Sequence, residues 1–107
     1  MTGDYVVVFI TAPGVEEAER IAAALVEERL AACVNVLPGC RSIYRWEGAL
    51  QHDDEALMIV KSSRSAFAAL EKRVIELHSY DVPEVIAVDV TSISAGYLAF
   101  LRDSLSP

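Results

Sequence analysis

Two stretches in which apolar side chains recur at three- and four-residue spacing lie among runs dense in β-branched residues, and this alternation leaves few folds open. The first run, Tyr5 to Thr11 (YVVVFIT), predicts a buried strand that Pro13 and Gly14 end. Val15 to Ala32 then sets Ala18, Ile21, Ala22, Leu25 and Val26 on one side against Glu16, Glu19, Arg20 and Glu27 on the other, as an amphipathic helix does. Glu16, Glu17 and Glu19 crowd its start, where the helix dipole favours negative charge. Cys33 to Trp46 predicts a long, irregular strand interrupted at Pro38-Gly39, Glu47 to Glu55 a polar hairpin end, and Glu55 to Lys61 a returning strand. The second helical pattern shows Phe67, Leu70, Val74 and Leu77 to the core, with Ser63 or Ser65 as its cap. Pro83 to Val90 predicts a fourth buried strand with its proline at the start, and Ser94 caps a last helix over Ala95 to Leu105.

The order is βαββαβ plus a tail helix. Right-handed crossovers place both longer helices on one face of a four-stranded antiparallel sheet, an α+β, ferredoxin-like sandwich with a C-terminal helix. The other face has no second layer, which leaves Val34, Val36, Ile43, Tyr44, Leu57 and Ile59 without cover. Hydrophobic residues make up 53% of the chain, high for a monomer, so copies of the chain are expected to cover that side. The 107 residues fit a single domain, 1–107, whose core needs neither disulfide nor structural metal.

Sixteen acids against nine bases give a net charge of −7, a field that repels phosphate backbones and anionic lipid, so neither nucleic acid nor membrane is an expected partner. The apolar stretch near the N-terminus is too short for a signal segment and follows no basic region, so a cytoplasmic protein is expected. Cys33 and Cys40 are seven residues apart, which strict alternation would send to opposite faces unless Leu37-Pro38-Gly39 inserts a bulge. No disulfide or thiolate zinc site is expected from the pair.

The densest cluster of reactive side chains is Leu77 to Val88 (LHSYDVPEVIAV), with His78, Tyr80, Asp81 and Glu84 where the second helix hands over to the last strand. It can serve proton transfer, or it can be a helix C-terminus that favours a histidine beside a packed tyrosine. Lys61, ending an apolar strand, can meet Glu84, hold an anion in a cleft, or reach water. Tyr44 and Trp46 alternate with Arg45 in SIYRWEG and suit a subunit interface better than base stacking, which needs a basic groove. His52, Asp53 and Asp54 supply nitrogen and oxygen donors for a divalent ion, or simply solvate a hairpin tip. Phosphate-loop, dinucleotide, nucleophile-elbow and zinc-protease motifs are absent, so the chain is not expected to be an enzyme.

Three separated segments, LAACVNVLPGCRSIYRWEG, EALMIVKS and HSYDVPEVIAV, in this order and spacing, resemble the CutA family of divalent-cation tolerance proteins from Val6 to about Leu101. The resemblance implies a tight homotrimer, similar in architecture to PII signalling proteins, with clefts between subunits. It places Cys33, Tyr44, Trp46, Glu55, Lys61, His78, Tyr80 and Glu84 at the intersubunit cleft, with Glu47, Gly48 and Pro83 nearby. It also implies binding of Cu(II) or another divalent cation, for which His52, Asp53, Asp54 and His78 are the candidate ligands. Where the family usually has His-Pro-Tyr this chain has His78-Ser79-Tyr80, and Phe100 stands at a common tryptophan. Thiolate ligation does not carry over to Cys40. A metal-responsive trimer is the expected function; a PII-like sensor or enzyme taking a small anionic metabolite in the shared cleft is the alternative, and an interaction scaffold the third.

Overall fold

A computed structural model describes residues 2–106. After a short 3-10 turn (Thr2–Asp4) come β1 (Tyr5–Ala12), α1 (Val15–Glu27), β2 (Cys33–Trp46), β3 (Ala49–Ser63), α2 (Phe67–Leu77), β4 (Val85–Asp89) and α3 (Ala95–Leu105). The strands form one sheet in the order β2-β3-β1-β4, with every pairing antiparallel. The element order is the one that the sequence predicts.

Register explains the core. Val8 lies opposite Val60, Ile10 opposite Met58 and Ala12 opposite Ala56, so one face presents a continuous apolar row. Ala18, Ile21 and Leu25 of α1 and Leu70 and Val74 of α2 bury against it. Val34 and Val36 pair with Val60 and Met58 and pack on this same core, not on the free side to which they were assigned.

The opposite face carries the rows Val7–Lys61–Cys33, Phe9–Ile59–Asn35 and Thr11–Leu57–Leu37. Only one end of it is covered, where Leu101 of α3 meets Tyr5 and Ala32. Hence β1 is buried on one side and half-buried at Val7 and Phe9, and β4 is not the buried strand its composition suggests. As an edge strand beside an uncovered face it leaves Ile86 54% exposed.

Helix ends differ from expectation for local reasons. α1 stops at Glu27 because Arg29 takes a left-handed φ of 60°. The Leu30 amide reaches back to the Leu25 carbonyl (2.9 Å) and the Arg29 amide to Val26 (3.1 Å), a C-terminal motif that usually places glycine where Arg29 stands. Val26 is thereby left at the exposed last turn. Ser63 Oγ accepts the Ala66 amide at 3.1 Å, one turn ahead of α2, whereas Ser94 caps α3 as expected through Tyr97 N–H at 3.4 Å.

Between Leu37↔Leu57 and Cys40↔Glu55 the β2–β3 register slips by one residue, and Gly39 adopts φ 77°. This bulge resets the parity, so Cys33 and Cys40, both free, share the uncovered face. They lie opposite Lys61 and Glu55, six residues apart on β3 and so about 20 Å from each other, well beyond disulfide reach. At the far end Glu47 (φ 50°) and Gly48 (φ 81°) make a two-residue turn with positive φ at both positions, which matches strand twist. The stretch from Ala49 to Glu55 is therefore strand rather than loop. From Cys40 to Glu55 the hairpin is an arm with apolar side chains exposed on both faces: Ile43 (63%) and Leu50 (61%) on one, Tyr44 and Trp46 (56%) on the other.

Candidate functional site: the His78 junction and its neighbours

The backbone at His78 turns extended (φ −79°, ψ 144°) directly after α2, while its amide still bonds to the Val74 carbonyl. This drives the imidazole inward, where the side chain is fully buried. Nε2 donates to the Thr11 carbonyl (2.7 Å) and Nδ1 accepts the Tyr80 amide (3.0 Å), which fixes a neutral ring with its proton on Nε2. Both nitrogens are engaged, so His78 cannot serve as the metal ligand the sequence suggested without giving up one of these bonds. The Tyr80 ring lies 4.7 Å from the imidazole, and its hydroxyl donates to Glu55 Oε2 at 2.9 Å. Burial, together with the carboxylates of Glu55 and Asp53, pushes the Tyr80 phenol far above its ordinary value, so it stays a donor.

Behind the histidine, Glu17 of α1 accepts two bonds on one oxygen, from Ser79 N–H and Ser79 Oγ, both at 2.9 Å, and that oxygen lies 3.4 Å from His78 Nδ1. Burial raises the Glu17 carboxyl, but the two Ser79 bonds, helped by the Arg20 charge, outweigh it and the net shift is downward. A depressed carboxyl stabilises the fold above its unfolded-state value, and that contribution is lost as pH falls through the folded-state value. Ser79→Ala removes one bond and lets the carboxyl rise. The variant should be about 1 kcal/mol less stable at neutral pH and should unfold at a higher pH on acid titration, as urea melts at two pH values would show.

The arm holds the candidate metal ligands. Because they sit on a strand, His52 and Asp54 face one way and Asp53 the other, so the three do not converge as adjacent tip residues would. Tyr44 donates to Asp53 Oδ2, and Arg41 bonds to Asp54 Oδ1 at 2.8 Å. The Asp53 bond, burial, and the Asp53 and Glu55 charges push the Tyr44 phenol up. His52 is exposed. Among the described residues no group of three His, Cys, Asp or Glu side chains is placed to hold a metal ion.

The eight residues assigned to one cleft fall in separate places within a single chain. His78, Tyr80 and Glu55 touch, with Tyr44 joined to the neighbouring Asp53; Trp46 is at the arm's tip; Glu84 is exposed just ahead of β4. Lys61 and Cys33 pair about 20 Å from Glu55 along β3, where Lys61 Nζ donates to Asn35 Oδ1 and approaches Cys33 Sγ at 4.0 Å. Lys61 therefore meets these two groups rather than Glu84. Tyr97 joins this second group; burial and the adjacent, hydrogen-bonded Cys33 side chain push its phenol up. Glu17, Ser79, Asn35 and Tyr97 were missed as site residues. The shared parity of Asn35 and Cys33 on β2 was the available signal for one of them; nothing local to the sequence pairs Glu17 with Ser79.

The CutA1 divalent ion tolerance protein model matches residues 6–104. The chain is 51% identical over 98 residues to the divalent-cation tolerance protein CutA of Thermus thermophilus, covering 92% of this chain and 95% of that one. It is 46% identical over 99 residues to the chloroplastic protein CutA of Arabidopsis thaliana, covering 92% of this chain and 54% of that longer protein. The crystal structure of CutA1 from Oryza sativa superposes with a TM-score of 0.94 at 43% identity, covering 98% of this chain and 96% of that one. By sequence and by fold, the chain belongs to the CutA1 divalent ion tolerance family.

Proposed function

We propose that the protein works as a homotrimer of ferredoxin-like, PII-like subunits that binds divalent metal ions, copper among them, and serves the cytoplasmic response to those ions without catalysing a reaction. Membership of the divalent ion tolerance family carries this reading. The uncovered sheet face and an arm that is apolar on both sides support assembly, because contiguous apolar surface of this kind is normally covered by a partner. No helix among the described residues is long and apolar enough to cross a membrane. In the trimer, the groups that one chain keeps apart come together from two chains: Lys61 and Cys33 of one copy, and Glu55, Tyr80, Trp46 and Glu84 of another.

For the metal, His52 and Asp54 share a face of the arm and supply two donors, and further donors, Asp53 included, come from neighbouring copies. His78 acts as a scaffold for the junction. Native mass spectrometry should give three copies per particle. Calorimetry with Cu(II) should show His52→Ala weakened about tenfold or more while His78→Ala, where folded, binds like the parent. Zn(II) should follow the same order with lower affinity. Equal copper binding by the parent and His52→Ala would remove the ligand assignment.

A further inference from the structure

His78 Nδ1 has two neighbours of opposite kind. In the neutral ring its lone pair accepts the Tyr80 amide at 3.0 Å, yet the carboxylate oxygen Oε2 of Glu17, itself an acceptor, lies 3.4 Å away. Two acceptors that close repel each other, and a proton on Nδ1 turns the repulsion into an ion pair. Nε2 already carries the proton given to the Thr11 carbonyl, so a second proton makes the ring a cation. Burial of the imidazole opposes that charge, and the Glu17 carboxylate offsets it. Glu17 also keeps 14% exposure, which gives a proton a way in from water. Around this pair stand Ser79 on the same Glu17 oxygen, Arg20 at 4.0 Å from the other, and the Tyr80 phenol against the ring. Glu55 and Asp53 of the arm reach the ring through Tyr80.

We propose that His78 and Glu17 form a proton-operated latch on the Tyr80–Glu55 bond. At higher pH the neutral ring accepts the Tyr80 amide and the latch is closed. As pH falls, a proton from water adds to the Nδ1 lone pair, Nε2 keeps its own, and the new N–H donates to Glu17 Oε2. The Tyr80 amide then faces a donor and loses its acceptor. Tyr80 shifts with its turn, and its hydroxyl releases Glu55. Glu55 lies opposite Cys40 at the root of the arm, so proton uptake is felt where the arm leaves the sheet. The ring is already sealed within one chain, so the pair stands whether or not other copies cover the free sheet face. It does not rest on the metal-binding reading.

The test is long-range proton–nitrogen NMR of the intact protein as pH is lowered from about 8 to about 5, the range in which imidazoles titrate. His78 should pass from one ring proton, on Nε2, to two while the protein stays folded. The Tyr80 amide signal should move with the same midpoint, and hydrogen exchange across 79–82, corrected for pH, should quicken. Glu17→Gln keeps an acceptor for Ser79 but removes the charge, so it should lower the proton affinity of His78 about tenfold or more. His52, exposed on the arm, should not respond to that substitution and serves as the internal control. A ring that keeps one proton until acid unfolds the chain would overturn the proposal, as would a Tyr80 amide that ignores the titration. An unchanged His78 midpoint in Glu17→Gln would do the same. Should Glu17→Gln fail to fold, the shared midpoint of His78 and the Tyr80 amide in the parent protein decides by itself.

Discussion

Ile59→Glu should convert the proposed homotrimer into folded single chains. Ile59 sits mid-strand on β3, between Phe9 and Asn35, and points away from both α1 and α2. The helix-side core of Val8, Ile10, Met58 and Val60 does not touch it, so a single chain can solvate the new carboxylate and stay folded. In an assembly that covers this face, the same carboxylate is desolvated without a partner, at a cost of several kcal/mol per copy. A dissociation constant raised by about a thousandfold or more follows, since each 1.4 kcal/mol is tenfold. Sedimentation velocity over a dilution series, with circular dichroism to report folding, reads both quantities. Unchanged assembly would show that this face is not the interface.

His78→Ala should be the most damaging of the polar-to-alanine changes, costing about 3 kcal/mol. It leaves the Thr11 carbonyl and the Tyr80 amide without their partners in a buried place and opens space against the Tyr80 ring. Loss of that support should also loosen the Tyr80–Glu55 bond, visible as faster hydrogen exchange across 78–82. The exposed His52→Ala should change stability by no more than about 0.5 kcal/mol. Urea unfolding at a fixed protomer concentration separates the two, because an assembling protein's midpoint moves with concentration.

The fold was legible where a period was long enough to choose a face. Ile21 and Leu25 in α1, and Leu70 and Val74 in α2, fall where their spacing puts them. Boundaries were less legible because the turns use unexpected residues. A left-handed Arg29 ends α1 with no glycine to announce it, and the Glu47–Gly48 turn is so tight that the polar run after it returns to strand at once. That misplacement turned His52, Asp53 and Asp54 from neighbours at a tip into residues on alternating faces. The histidine junction was visible as a cluster, but its meaning was not, because Thr11, Glu17 and Glu55 reach it only through the sheet and α1. Val34 and Val36 were set on the wrong face because register, which sequence spacing within one strand does not reveal, decides the side.

β3 runs without interruption from the packed centre of the molecule to the end of the arm, 15 residues that alone account for most of the 45 Å long axis. Its direction is consequently inherited from the twist of the sheet and not from any loop that could swing. An appendage of this kind is already aimed before it meets anything, so docking it sacrifices little chain entropy, and the geometry of whatever it joins is written into the pitch of four strands.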